Sequence, residues 1–403
     1  MEDIIEEPSH RLNQLLDETT IQTSDDSDGQ NKCDYDWTKS PKLINKCFNQ
    51  FNDSNNCLKG CKWSPDGSCL MTNSDDHCLR LFNLPQNLCQ NPIILDEDVE
   101  EMSPVLKIKE SEIIYDFCWY PLMNSCHPST CLLMTTSRDN PIHLWDAYTG
   151  QLVCTYRAYN YADEVIAANC VAFSADGTKI YSGFEKWIRV FDTSSPGRVC
   201  DSKQTYMDKT GQKGIISCIA VNPLNPNIIA FGSYDKSIGL YEEPSLVNIC
   251  VLMGQKGGLT HIQFSADGHR LYSGGRKDSE ILCWDIRNVG QVLSVITRSV
   301  NTNQRVYFDL SCDSKYLATG SDNGMVYIYD TKSDDINDDI LKSCNSFEAH
   351  NDCANGVAFH PTLPLLSTTS GQRRFADVSD SEDEDLSLLK TKQENSLKFW
   401  WNY

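Results

Sequence analysis

The chain has 403 residues, with 35 Lys and Arg against 56 Asp and Glu, for a net charge of −21. Its 19 cysteines are an odd number with no C-x-x-C pair, which argues against a disulfide framework or a zinc site and for a reducing compartment. Met1–Leu16 is acidic and lacks an apolar core, and no apolar run approaches membrane-spanning length, so neither a secretory signal nor a transmembrane segment is expected.

In chain order, residues 1–42 read as a disordered acidic tail, rich in Ser, Thr, Asp and Gln. The segment Leu43–Phe51 (LINKCFNQF) follows, and then one pattern returns seven times: Cys57–Leu84, Glu112–Ala147, Ala168–Thr193, Gly214–Glu243, Gly257–Arg287, Asn303–Thr331 and Cys353–Asn402. Each copy has an apolar strand a, a tight turn, a strand b, a polar turn and a strand c ending in an aromatic residue, often followed by Asp. An outer strand d follows c. Apolar residues alternate in strand c, as in Ile142 and Leu144 or Ile188 and Val190, which is the period of a strand. An acid or Asn precedes the terminal aromatic by six positions: Asp76 and Phe82, Asp139 and Trp145, Glu185 and Phe191, Asp235 and Tyr241, Asp278 and Trp284, Asn323 and Tyr329. These polar residues are expected to bond turn amides rather than to catalyse. Ser64–Gly67, Ser174–Gly177 and Ser265–Gly268 read as a–b hairpin turns with Gly at a left-handed position.

A repeat of roughly 40–50 residues with this ending signifies a β-propeller. The expected fold is all-β: a seven-bladed WD40 propeller over residues 43–403. The seventh copy lacks residues for its strand d, so Leu43–Phe51 is the expected donor that closes the ring and removes open sheet edges. Trp63, Trp119, Trp187, Phe264 and Phe359 are expected to pack within or between blades, and His261 to be structural.

The acidity is localised. Residues 1–30, 96–101, 333–340 and 377–386 together carry 23 net negative charges, leaving the remainder at +2. All four lie outside the strand pattern. The last belongs to a loop insertion at about 376–394 within the seventh copy, where Ser379 and Ser381, flanked by acids, are candidate phosphorylation sites.

Sorting charge by face gives the functional expectation. The a–b and c–d turns of one face carry Asp66, Asp176, Asp267, Asp313, Asp146, Asp192, Asp285 and Asp330. The b–c turns and d–a connections of the other carry Lys and Arg with Tyr156, Tyr159, Tyr161, Tyr234, Tyr307 and Phe375. Cations neutralise phosphates and flat rings stack unpaired bases, so this face suits single-stranded RNA. The candidate RNA-binding residues are Arg138, Arg157, Tyr159, Arg276, Lys277, Arg305, Arg373 and Arg374. Lys186 and Lys236, directly after the turn acid, are read as turn residues. No catalytic arrangement, metal site or cofactor is expected.

Several long strings are more distinctive than a generic repeat: CLKGCKWSPDGSCLMTNSDDHCLRLFNLP, SRDNPIHLWDAYTGQLVCTYRAYN, GLTHIQFSADGHRLYSGGRKDSEILCWDIR, NTNQRVYFDL and CANGVAFHPTLPLLSTTSGQR. They resemble the telomerase Cajal body protein 1 family of WD40 proteins, from about Lys59 onward. The Gly-His pair common before strand a in generic repeats is mostly replaced, by Ala158-Tyr159, Gly211-Gln212 and Gly254-Gln255. The resemblance implies an RNA-binding scaffold that recognises a loop element of small Cajal body RNAs, and of telomerase RNA. It implies delivery of these ribonucleoproteins to Cajal bodies, with H/ACA ribonucleoprotein proteins as partners and chaperonin-assisted folding. A nuclear, partly cytoplasmic monomer without membrane contact is the corresponding expectation. The alternative is a protein-interaction adaptor that binds peptides over the central channel.

Overall fold

A ring of seven four-stranded blades is what the repeat produces. The computed structural model describes residues 35–51, 56–90, 99–333, 336–337, 339–373 and 394–402. Blade 1 is formed by Leu58–Trp63, Cys69–Ser74, Cys78–Asn83 and Leu106–Lys109, all antiparallel. Blades 2 to 6 repeat this order. In blade 7, Ala354–Phe359, Leu365–Ser370 and Leu397–Trp401 are completed by Lys42–Cys47 from the start of the chain. That strand pairs antiparallel with Leu397–Trp401, from Lys42 opposite Trp401 to Cys47 opposite Leu397. Ring closure therefore follows the expected route, with the strand ending at Cys47 and a short 3-10 turn carrying Phe51 into the core.

The blades hold together through apolar faces packed against their neighbours. Cys69, Met71, Leu79 and Leu81 of blade 1 meet Ile114, Phe117 and Leu133 of blade 2, for example. Fully burying one such side chain contributes about 1.5–3 kcal/mol. The a–b turns use Gly as read: Gly67, Gly177 and Gly268 have φ of +72°, +72° and +65°.

Within blades, buried polar relays tie strand c to strand b and to the connection before strand a. In blade 7, Trp400 Nε1 donates to Thr368 Oγ1 (2.8 Å), which bonds His350 Nε2 (2.8 Å), and His350 Nδ1 meets Glu394 (3.1 Å). In blade 5, Trp284 Nε1 donates to Ser273 (2.9 Å), Ser273 to Gln255 Oε1 (2.8 Å), and Gln255 Nε2 to Asp278 (2.9 Å). Gln255 thus does the work of the absent histidine, since an amide offers one acceptor and one donor in similar positions. Gln212 plays a comparable part in blade 4, accepting from Tyr241 and donating to Phe231 O.

The turn acids largely behave as read. Asp235 accepts from the N–H groups of Lys213 (2.7 Å), Gly214 (3.1 Å) and Ser237 (3.1 Å). Asp278 accepts from Lys256, Gly257 and Glu280, and Asn323 from Met325. Two differ. Glu185 is exposed and pairs with Lys186, and Asp139 lies exposed at φ +58°. In blade 2 the relay is carried instead by Glu110, which takes the hydroxyls of Thr135 and Ser137 and the imidazole of His143.

Two boundaries and the extent of the strand pattern are corrected. The expected tail of residues 1–42 ends earlier: Tyr35 and Trp37 are buried, stacked on each other at 5.7 Å and edge-on to Phe359. Apolar burial of two large rings outweighs the acidic composition around them; residues 1–34 lie outside the described residues. The insertion expected at about 376–394 stops before Glu394, which is buried in the blade 7 relay. Two acidic stretches also enter the strand pattern. Glu100–Glu101 pairs in parallel with Asn45–Lys46, and Ile340–Leu341 with Val295–Ile296, so they cover the outer edges of blades 7 and 5.

Candidate nucleic-acid interface

Strand a is the innermost strand of every blade, so its side chains line the channel. It carries a recurrent β-bulge near its start, between Leu58 and Gly60, Ile114 and Asp116, Ile216 and Cys218, Leu259 and His261, and Ala354 and Gly356. The extra residue shifts the alternation. In blades 1 and 2 the second and fifth positions of the strand are consequently the part-exposed ones. The second position sits at the mouth where the b–c turns and d–a connections emerge, here the upper mouth. The fifth sits at the other.

The upper mouth holds a cavity of about 430 Å³. Four of the expected arginines line it: Arg138 from the b–c turn of blade 2, Arg276 from that of blade 5, Arg373 from that of blade 7, and Arg305 from the connection into blade 6. Lys59, Tyr115, Tyr234 and Tyr307 join them. The Arg276 guanidinium lies 3.9 Å from the centre of the Tyr234 ring and donates to its hydroxyl. Arg305 donates to Ser217 O (3.1 Å); burial opposes its charge, but the neighbouring Tyr307, Tyr234 and Asp116 hold its pKa above the usual arginine value. Arg138 is exposed, and a hydrogen bond with Tyr115 also raises its pKa. One carboxylate serves the cavity's other cations: Asp75 pairs with Lys59 (3.0 Å) and with Arg373 (3.6 Å). Among the described residues Arg138, Arg276 and Arg305 have no salt-bridge partner.

The remaining candidates lie elsewhere. Lys277 follows Arg276 directly, but its backbone is left-handed (φ +46°), and it lines a separate open cavity of about 890 Å³ with Arg298, Tyr327 and Tyr329. Arg157 is exposed beside a hairpin, Ala158–Tyr159 paired with Val165–Ile166, that does not line the upper cavity. Tyr159 is covered by Arg198, whose guanidinium lies 4.3 Å from the ring centre and pairs with Asp163 at 2.7 Å. Arg374, Ser379 and Ser381 lie outside the described residues. Among the described residues, no cluster of three or more His, Cys, Asp or Glu side chains could hold a metal, and no helix is long and apolar enough to cross a membrane.

Lys59, Tyr115, Asn169 and Asn355 were not singled out by sequence. All four are the residue four positions before the aromatic that ends strand a (Trp63, Trp119, Phe173, Phe359), and that spacing is the signal that finds them.

The lower mouth is different. Its cavity of about 530 Å³ is walled by Trp63, Phe264, Phe359, Pro65, Pro223 and Pro361. Lys62 donates to Phe117 O (2.5 Å) and lies 3.4 Å from Asp116; burial opposes its charge, but Asp116, Tyr307 and Cys118 together hold its pKa above the usual lysine value. Burial pushes the Asp309 carboxyl up to about 6, against hydrogen bonds from Gln263 and the N–H groups of Phe359 and Leu310. Burial pushes the His261 imidazole down to about 3, and its ring packs edge-on to Tyr307 and Phe308. The aspartates of the lower turns bond their own backbones: Asp176 accepts from Thr178 N–H (3.1 Å) and Asp267 from His269 N–H (3.0 Å).

Comparison with known proteins agrees with this architecture. The family described as WD domain, G-beta repeat, matches residues 45–83, 150–192, 247–285 and 297–330. Over 396 residues the chain is 44% identical to human telomerase Cajal body protein 1, covering 96% of this chain and 71% of the human protein. It is 34% identical to the Drosophila melanogaster telomerase Cajal body protein 1 homolog over 385 residues, 89% of this chain and 68% of that protein. A more distant similarity, 26% over 365 residues, links it to the guanine nucleotide-binding protein negative regulator 1 of Schizosaccharomyces pombe, covering 86% and 88% of the two chains. With a seven-bladed ring, this extent of identity places the chain in the telomerase Cajal body protein 1 family.

Proposed function

We propose that the chain is an RNA-binding scaffold that grips a loop element of small Cajal body RNAs at the upper mouth and directs those ribonucleoproteins to Cajal bodies. The observation that carries this is the meeting of Arg138, Arg276, Arg305 and Arg373, from separate repeats, around one cavity with Tyr115, Tyr234 and Tyr307. Cations of this kind neutralise backbone phosphates, and the flat rings offer stacking surfaces to unpaired bases. A longer RNA, extending outward over the same face, would reach Lys277, Arg157 and Tyr159; Arg374 is proposed to take part on sequence grounds alone. Telomerase RNA is a second RNA of the same kind, in keeping with the names of the relatives. H/ACA ribonucleoprotein proteins are the proposed partners, and chaperonin the proposed folding aid. Ser379 and Ser381 are proposed phosphorylation sites.

The test is fluorescence anisotropy with a small Cajal body RNA hairpin and a loop-scrambled control of equal length. Tight binding of the first, with at least tenfold weaker binding of the second, is expected. Equal affinity for both would leave only nonspecific charge attraction and sink the reading. The rival, a peptide-binding adaptor, is favoured by the aromatic and proline walls of the lower cavity, a lining suited to small apolar groups. The two readings use opposite mouths and are compatible.

A further inference from the structure

The upper cavity is lined by two kinds of polar group. Arginines come from its loops, and amides come from its strands, among them Asn73 at the buried end of strand b of blade 1 and Asn355 from strand a of blade 7. Asn355 is occupied within the fold: its Nδ2 donates to Leu58 O (2.7 Å) and to Gly371 O, and its Oδ1 accepts from Cys353. Asn73 is not. It is only 3% exposed, it lines the cavity, and its Oδ1 is buried with no hydrogen-bond partner among the described residues.

An unbonded buried acceptor is costly, and each one in a folded protein calls for a reason. An amide oxygen repels a phosphate and accepts from an N–H. The same cavity is lined by Tyr115, Tyr307 and the stacked Arg276–Tyr234 pair, whose flat groups can receive a planar ligand. A group that lies flat against such faces while offering N–H at its edge is a nucleobase. The cavity, about 430 Å³, lies in the usual range for enclosing a small ligand and is far too small for a duplex.

We infer that one unpaired base of the bound loop turns out of its stack into the upper cavity, where Asn73 Oδ1 accepts a hydrogen bond from the base edge. Arg138 and Arg276 hold the phosphates on either side. This rests on the RNA-binding reading and adds to it the place where base identity is read. Turning out a base that is already unpaired is less costly than extracting one from a helix, so a loop rather than a stem is the matching element.

The experiment is an abasic scan. Hairpins with one base removed at a time around the loop are titrated against wild type and Asn73→Leu, a change that keeps the branched side-chain shape and removes the polar edge. One loop position is expected at which base removal weakens wild-type binding tenfold or more. Asn73→Leu should weaken the intact hairpin by a similar factor, lose nothing further at that position, and leave the salt slope unchanged. If the intact hairpin binds but no loop position is sensitive, or if the sensitive position is equally sensitive in Asn73→Leu, Asn73 is bonded by water alone and the inference fails while RNA binding stands. If wild type binds no hairpin, both readings fall. Should Asn73→Leu not fold, the wild-type scan still decides, because a base pocket requires a sensitive position.

Discussion

The two mouths of the channel are made from the two ends of the same innermost strand, yet they carry opposite chemistry. The upper mouth takes Lys59, Tyr115 and Asn355 from the second position, with Asn169 just before its strand, and collects arginines from the loops above. The lower mouth takes Lys62, Gln263 and Asp309 from the far end of the strand and surrounds them with aromatic rings and prolines. Among the described residues the upper cations Arg138 and Arg276 have no carboxylate partner, unlike Lys59 and Arg373 on Asp75, whereas Lys62 is tied to Asp116. A repeat thus keeps its backbone constant and varies function by strand position: charge left unpaired at one end is available to a ligand, and charge paired at the other serves the fold.

The sharpest way to break this contrast is to remove the unpaired charge. Arg138→Ala with Arg276→Ala should weaken hairpin binding on the order of 10–100-fold at physiological salt and make the log–log salt slope shallower by about 1.4, since each phosphate contact to a single strand contributes roughly 0.7. Arg157→Ala, out on its hairpin, should change affinity by no more than about twofold on the same assay. Comparable losses from both variants would disperse the site over the whole face.

The converse change belongs to the lower mouth. Lys62→Met leaves Asp116 without its cation and should lower stability by about 2–4 kcal/mol in urea melts, toward the low side for a broken buried pair because Lys62 is a third exposed. Hairpin affinity should not move. A variant of full stability and reduced affinity would show that the channel acts as one site.

A smaller effect compares blade 7 with blade 5, where histidine and glutamine fill the same relay. Burial lowers the His350 pKa below its ordinary value despite Glu394 beside it. The unfolded chain therefore binds a proton that the folded one refuses, and stability is lost as pH falls through the unfolded value of about 6.5. Glu394, held low by His350, Lys398 and Ser396 against burial, extends the loss at lower pH, as protonation begins near the ordinary carboxylate range. His350→Gln should remove up to about 1 kcal/mol of the stability difference between roughly pH 7.5 and pH 5.5, measured by urea melts. An unaltered pH profile would place the acid sensitivity elsewhere.

Much of this molecule is legible because its signals are local. Strand alternation, Gly67, Gly177 and Gly268 at left-handed turns, and the sorting of Asp and Arg between faces each need only a few neighbouring residues. What was not legible depends on geometry between residues. The bulge in strand a breaks simple alternation, so Lys59 and Tyr115 at the mouth are invisible to a period-2 reading. The turn at Lys277 sends adjacent cations into different cavities. Arg198 covers Tyr159 from 39 positions away, and no local pattern announces it. Tyr35 and Trp37 were hidden by the acidic sequence around them.

The joint between Lys42–Cys47 and Leu397–Trp401 has a consequence for synthesis. Asp36 N–H bonds Asn402 Oδ1 (2.6 Å) across 366 positions, so the segment around residues 36–47 finds its partner only once the chain has been made as far as Leu397–Trp401 and Asn402. Until Leu397–Trp401 has been made, the nascent chain carries an open seam, with an unmatched sheet edge at Lys42–Cys47. An interrupted message would yield blades that are individually sound but cannot close, and such products are natural targets for clearance.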